Sequence, residues 1–354
     1  MTVKIGVIGA GSISDSHLQS YSKNAEAEIY AICDLNEQRA QEKAKIYQAT
    51  KVYRSYQDLL QDENVEAVSI CTWNNSHAEI AIAALDAGKH VLVEKPLCKT
   101  VTEALQVEEA VNRNQKVLQV GFVRRYATNT QIIKQFVDSN DLGDIYYAKA
   151  TCLRRLGNPG GWFADKERSG GGPLIDLGVH IIDVCWYLMG KPKVASVSGN
   201  TYARLGNRSN VKHLSFYKAA DYDPDKNTVE DLANAIIRFE NGASLMVDVS
   251  FTLHAKEDRI SVNLYGDKGG AELEPALHLI TEKNDIILNA TPQTDSASFD
   301  FVQAFQNEIN HFIASVKGEK ETLSPVQDGV EIMKILCGIY ESSEKGKEIQ
   351  LNID

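Results

Sequence analysis

The sequence predicts an α/β protein. A doubly wound parallel sheet is expected over residues 1–122, followed over 123–354 by an α+β domain with an open, largely antiparallel sheet. Three observations predict it. A chain of 354 residues exceeds what one hydrophobic core usually supports, so two domains are expected. The first part of the chain alternates short apolar runs with helical patterns in strict order, which builds right-handed crossovers on a parallel sheet. Beyond residue 122 the pattern changes to strands joined by hairpin turns.

The runs KIGVIG (4–9), AEIYAIC (27–33), VEAVSICT (65–72), KHVLVE (89–94) and KVLQVGF (116–122) read as strands covered on both faces, because they are apolar without alternation. Helical patterns fill 12–23, 36–47, 55–62, 77–88 and 100–113. The last opens on Thr100 with Glu103 three positions later, the spacing of a capping box. In the second part a helix is expected over 126–139, a strand over 144–155 and a helix over 173–189. ANAIIRFENGASLMVDVSF reads as a hairpin, since Asn241-Gly242 suits the positive φ angles of a two-residue I′ turn, and a second hairpin signal lies at 266–269. Helices over 298–316 and 325–344 close the chain, the second behind Ser324-Pro325.

Composition is that of an ordinary globular protein: 43% hydrophobic and 24% charged, with no low-complexity tract. A formal charge of -11 argues against a broad nucleic-acid or anionic-membrane footprint and leaves small molecules as the expected partners. Cys33, Cys71, Cys98, Cys152, Cys185 and Cys337 are scattered without a C-x-x-C pair and read as reduced thiols. The sequence opens directly on a strand pattern, and no apolar run approaches a membrane span; a soluble cytoplasmic protein is expected.

Two motifs in the first domain carry chemistry. The first strand runs into Gly9-Ala10-Gly11-Ser12-Ile13-Ser14, where the glycines allow a tight turn and let backbone N–H groups approach a pyrophosphate at a helix N-terminus. Ser14 replaces the third glycine of the fingerprint, so a slightly looser packing of helix on strand is expected. Asp34, ending the second strand, is placed to accept from ribose hydroxyls and to repel a 2′-phosphate, which favours NAD over NADP; Arg39 is too isolated to build a 2′-phosphate site. Asp34 could equally cap the helix over 36–47, with Glu37 completing a box. The second motif, Glu94-Lys95-Pro96, ends a parallel strand, where open α/β sheets bind ligands, and its Lys-Pro bond is a candidate for the cis form.

In the second domain, SGGGPLIDLGVHIIDVCWYL (169–188) places Asp176, His180 and Asp183 on one helical face. Taken with GAGSIS and TWNNSHAEIAIAALDAGKHVLVEKP, this stretch resembles the Gfo/Idh/MocA oxidoreductases over nearly the whole chain. The resemblance implies a Rossmann domain that binds NAD(P) and a second domain that holds a sugar or cyclitol and often forms the oligomer interface, here a homodimer or homotetramer. It implies that Lys95, Asp176 and His180 are the catalytic group; no metal is expected, because no other His or Cys cluster completes a ligand set. It also assigns Thr72, Trp73, Asn74 and His77 to the loop lining the cofactor, Glu94 to the same strand end, and Trp162 to a tryptophan that approaches the cofactor in some members. Ser14 and Trp73 stand where the family usually has Gly or Ala and Pro.

Those residue types suit hydride transfer from a secondary alcohol. A histidine of ordinary pKa, about 6.5, can take the hydroxyl proton at neutral pH. Asp176, one turn earlier, can fix its tautomer and stabilise the imidazolium. Lys95 can stabilise developing alkoxide charge, and the glycine cluster reads as a mobile lid. Other readings stay open: a mutually satisfied buried cluster (preferred for Asp183), a divalent-metal site, a glycosidase using transient oxidation, or a non-catalytic nucleotide-binding sensor. Arg124, Arg125, Arg154, Arg155 and Arg168 read mainly as ion-pair partners, with one or two available to select an anionic substrate.

Overall fold

The computed structural model describes residues 2–294 and 296–351, so the extreme termini of the two expected domains lie outside it. Two compact units are present: residues 1–126 with 301–333, and 127–300 with 334–354. The chain therefore returns to its first unit near its end, which a single boundary after residue 122 does not anticipate.

The first unit contains β1 (Val3–Ile8), α1 (Ser12–Ser22), β2 (Ala27–Cys33), α2 (Glu37–Tyr47), β3 (Lys51–Tyr53), α3 (Tyr56–Gln61), β4 (Ala67–Ile70), α4 (His77–Asp86), β5 (His90–Glu94), α5 (Val101–Asn114) and β6 (Leu118–Gly121). The six strands form one parallel sheet in the order β3-β2-β1-β4-β5-β6. The order reverses beside β1, so the carboxyl ends of β1 and β4 frame the crevice where such sheets take ligands. Five strands match the apolar runs. β3 is the exception, a three-residue edge strand of partly exposed residues with no apolar run to announce it. The capping box of α5 forms as the spacing implies: Thr100 Oγ1 accepts from Glu103 N–H at 3.2 Å, and the Glu103 carboxylate accepts from Thr100 N–H at 2.9 Å.

The second unit contains α6 (Thr128–Asp138), β7 (Ile145–Leu153), α7 (Lys166–Ser169), a π-helical turn (Leu174–Gly178) continuing into α8 (Val179–Leu188), and then β8 (Val194–Tyr202), β9 (Leu232–Phe239), β10 (Ser244–Ser250), β11 (Arg259–Gly266), β12 (Gly269–Glu274), β13 (His278–Lys283) and β14 (Ile286–Ala290). Next come α9 (Phe301–Val316) in the first unit, α10 (Val326–Lys345), and β15 (Ile349–Gln350), which joins the second sheet. That sheet runs β14-β13-β12-β11-β7-β10-β9-β8-β15 and is antiparallel except for the parallel β7–β10 pair. One face is apolar and buried, with Ala148, Ala150, Leu245, Val247, Val262 and Leu264. The opposite face carries the stacked Tyr147 and Tyr265, ring centroids 5.4 Å apart, and the exposed Met246.

The β9–β10 hairpin forms, but not on the expected I′ turn. Gly242 alone of the two turn residues has positive φ, +85°, and the connection runs from Glu240 to Ala243, closed by Phe239 N–H donating to Ala243 O at 2.9 Å. A longer loop needs only one left-handed residue.

Candidate active site

The phosphate loop is built as its sequence demands. Gly9 has φ +94°, and a Cβ there would lie 2.6 Å from the Cys71 carbonyl oxygen, so backbone strain and the close approach of β4 both require glycine. Gly11 differs: nothing of the protein lies within 4 Å of where its Cβ would be. As N-cap of the 11-residue α1 it places no side chain over the first turn of the helix, the end whose dipole favours an anion. Ser12 begins α1 exposed, and Ile13 follows half-buried.

Ser14 is fully buried rather than loosening the contact; its hydroxyl donates to Gly11 O at 2.7 Å. Lys43 on α2 reinforces this, its Nζ donating to Gly11 O and Ser14 Oγ at 3.0 Å each and to Asp15 Oδ1 at 2.6 Å. Lys43 was not evident from the sequence, because only folding brings α2 against α1.

Asp34 lies at the loop. Its Oδ2 accepts from Ala10 N–H at 2.7 Å and its Oδ1 from Asn36 N–H at 2.7 Å, leaving further acceptor capacity on a carboxylate that is 13% exposed. The helix-cap reading of Asp34 is corrected: Asn36 caps α2, its side chain accepting from Arg39 N–H at 3.2 Å. Arg39 Nη1 is 3.9 Å from Asp34 Oδ2. Leu35, 83% exposed immediately after Asp34, and Trp73, 43% exposed after β4, are the apolar groups at these strand ends; Leu35, a single aliphatic residue in a loop, has no periodic signal in the sequence.

The β4–α4 loop is tightly bound into the unit. Thr72 Oγ1 accepts from Ser76 Oγ at 2.8 Å, Asn74 is buried, and His77 is fully buried, with Nδ1 2.8 Å from Pro96 O and Nε2 3.2 Å from Thr72 O. Burial lowers the His77 pKa, partly opposed by those carbonyls. His77 therefore ties two loops together instead of facing a ligand, because both ring nitrogens already lie against carbonyls. Glu94 is likewise turned inward: Oε1 is 2.8 Å from His17 Nε2, and Oε2 accepts from Lys95 N–H at 3.1 Å. Lys95 is half-buried at the end of β5, and its bond to Pro96 is cis.

In the second unit Asp176 occupies the π turn and His180 the first turn of α8, both half-buried, whereas Asp183 is 1% exposed. A π turn within a helix is rare and clusters at functional sites. Glu230 holds the entry to this helix: Oε2 accepts from Gly172 N–H at 2.9 Å, and Oε1 accepts from Leu174 N–H at 3.2 Å and from Tyr340 Oη at 2.8 Å. Burial, then the Glu230 carboxylate, drives the Tyr340 phenol well above its ordinary range. The glycines serve this packing and not a mobile lid: a Cβ on Gly171 would lie 2.0 Å from Tyr340 Oη, and one on Gly172 2.4 Å from Glu230 O. Trp162 sits on a 3₁₀ turn (Gly161–Ala164), its ring 3.9 Å from that of Phe163.

Of the arginines, Arg125 is fully buried and paired with Asp328, and its Nη1 donates to Leu323 O at 2.8 Å. Arg168 bonds Asp165 and Asp221, Arg155 lies 4.0 Å from Asp258, and Arg154 stacks over Phe216. No cluster of three or more metal-ligating side chains occurs among the described residues, and none of their helices is long and apolar enough to cross a membrane.

A six-stranded parallel sheet whose first strand turns through glycines into a helix N-terminus, with an acid at the end of the second strand, defines a dinucleotide-binding domain. Residues 3–122 match the family described as the oxidoreductase family, NAD-binding Rossmann fold, and residues 134–351 match its C-terminal alpha/beta domain. The chain belongs to this Gfo/Idh/MocA oxidoreductase family, and its first domain is NAD-binding. It is 33% identical over 352 residues to D-glucoside 3-dehydrogenase of Escherichia coli K12, covering 99% of this chain and 97% of that one. It is 26% identical over 357 residues to myo-inositol 2-dehydrogenase of Thermotoga maritima, covering 99% and 98%. Among solved structures it shares the fold of levoglucosan dehydrogenase in complex with NADH, with a TM-score of 0.88, 22% identity and 100% coverage of both chains.

Proposed function

We propose that this protein is a dehydrogenase that moves a hydride between a ring secondary alcohol of a sugar or cyclitol and the nicotinamide of NAD, using Lys95, Asp176 and His180. The observation that carries the reading is the Asp176–His180 pair. Two half-buried polar groups one turn apart, on a helix whose entry is fixed by a buried carboxylate, are arranged for a task rather than for solvation. The names of the relatives, glucoside, inositol and levoglucosan dehydrogenases, support a polyhydroxylated ring as substrate.

Bound NAD supplies the hydride acceptor. His180 takes the hydroxyl proton, Asp176 stabilises the resulting imidazolium, and Lys95 stabilises negative charge on the alcohol oxygen. Asp34 orients the adenosine ribose and disfavours a 2′-phosphate, while Leu35 and Trp73 offer apolar surface to the adenine. The exposed Tyr265 and Met246 on the open sheet face support assembly as a homodimer or homotetramer, and a cytoplasmic location belongs to the same proposal.

The test is NADH formation with a panel of glucosides, aldoses and inositols. Lys95→Ala and His180→Ala are each expected to lower kcat by roughly 10²- to 10⁴-fold with NAD affinity retained. Full activity in both variants would overturn the assignment. Glycoside cleavage without net NADH would replace it with a hydrolase, and NAD binding with no turnover on any panel member would replace it with a sensor.

A further inference from the structure

Beneath the Lys95 strand end lies a buried polar chain that the chemistry above does not use. Tyr21 Oη is 2.7 Å from Ser69 Oγ, which is 3.3 Å from His17 Nδ1; His17 Nε2 is 2.8 Å from Glu94 Oε1, and Glu94 Oε2 accepts from Lys95 N–H at 3.1 Å. Tyr21, Ser69 and His17 are each 0% exposed and Glu94 is 6% exposed. Cys71, just past the end of β4, adjoins His17, and the Phe305 ring of α9 covers it at 5.5 Å. Burying an imidazole and a carboxylate costs several kcal/mol before their attraction is counted, and apolar residues of similar volume often stabilise as well or better. Stability alone therefore gives no reason for the chain.

Its endpoint does. The β5–β6 pairing ends at Glu94, opposite Gly121, so the Lys95 N–H is the first beyond the ladder, and it finds its acceptor in the Glu94 side chain. One residue further on, the Pro96 carbonyl oxygen lies 2.8 Å from His77 Nδ1, whose ring is also fully buried. Lys95 is thus bracketed, its own amide held through Glu94 by His17 and the next carbonyl held by His77.

We propose that His17 and His77 are positioning residues which, by fixing the backbone on either side of Lys95, set the direction of its ammonium; the inference rests on the reading of Lys95 as catalytic. The two imidazoles suit different halves of the task. Burial alone would depress His17, but the neighbouring Cys71 sulfur and then Glu94 raise it well above its ordinary value, which suits a donor that holds the Glu94 carboxylate in place. His77 is lowered by burial; the Pro96 and Thr72 carbonyls and Glu94 oppose this, and Lys95 adds to it, while the ring spans the Pro96 and Thr72 carbonyls. The other titratable groups near the chain are Tyr21 and, facing Tyr21, Glu308 of α9.

The experiment compares His17→Leu, His17→Gln, His77→Leu and Lys95→Ala with the parent protein in three measurements: amide hydrogen exchange without NAD, NADH affinity by fluorescence, and kcat and KM on the best panel substrate. Both leucine variants are expected to speed exchange about tenfold in the peptide spanning 94–98 while leaving β1 and β6 unchanged. They should lower kcat by roughly 10- to 100-fold with little change in KM or NADH affinity. His17→Gln, which can still donate to Glu94, should recover most of both losses. Exchange that rises evenly across the sheet, or a fast local exchange with kcat intact, would overturn the positioning role. An active Lys95→Ala would instead overturn the parent reading while leaving the exchange result standing.

Discussion

Replacing Glu230 with Gln tests whether the entry to the Asp176–His180 helix is held electrostatically. The substitution preserves shape and volume but leaves one acceptor oxygen where the carboxylate offers two. In the native protein those oxygens receive three donors: Gly172 N–H at 2.9 Å, Leu174 N–H at 3.2 Å and Tyr340 Oη at 2.8 Å. The amide oxygen can serve one side, and the NH₂ group then faces a donor on the other. A hydrogen bond to a charged acceptor contributes about 1.5–3 kcal/mol and a neutral one about 1 kcal/mol, so one bond lost and the others weakened cost about 2–4 kcal/mol. Removing a negative charge beside a helix start adds about 0.3–1 kcal/mol. The expected loss of about 2–5 kcal/mol is a large part of a usual stability of about 5–15 kcal/mol. It is read by urea unfolding followed by circular dichroism, alongside kcat at a temperature where the variant is still folded. We expect kcat to fall along with stability, because the π turn carrying Asp176 loses its anchor. A stability change below about 1 kcal/mol with unaltered kcat would refute the argument, since it would mean that the three donors find partners as good elsewhere.

Two further outcomes follow from single residues. Gly9→Ala combines positive φ with a Cβ 2.6 Å from the rigid Cys71 carbonyl oxygen, so a loss of roughly 2–5 kcal/mol in stability and a large loss of NAD affinity are expected; thermal melts with and without NAD measure both. His90 accepts from Val117 N–H at 3.1 Å while neutral; burial, then Lys116, depresses its pKa to about 4 against the opposing pull of Glu66. Its folded pKa lies below the unfolded value of about 6.5, so its contribution is complete above that value and is lost as pH falls toward about 4. The melting temperature should drop between about pH 7 and about pH 4, less steeply in His90→Gln.

Much of the fold is legible in the sequence because it is written in local periodicity. Uninterrupted apolar runs, the capping box at Thr100 and the glycines at 9 and 11 each act over a few residues, and each element they announce is present. The same holds for the stretch from 169 to 188, whose helix forms where its pattern places it. Less legible were features without a periodic signal: the short edge strand β3, the π turn at Asp176, and the longer β9–β10 connection.

By itself, then, the sequence determined the alternating first domain, the phosphate loop and the residues of chemical character, since backbone geometry and short-range hydrogen bonding select these within one or two turns. Tertiary structure alone decided how buried polar groups are satisfied and to which unit residues 301–333 return. His17 meets Glu94 across 77 positions, Gly172 meets Glu230 across 58, and Tyr340 reaches the same carboxylate across 110. No local pattern encodes such pairs. They form because a polar group removed from water must find a partner among whatever the packing brings beside it.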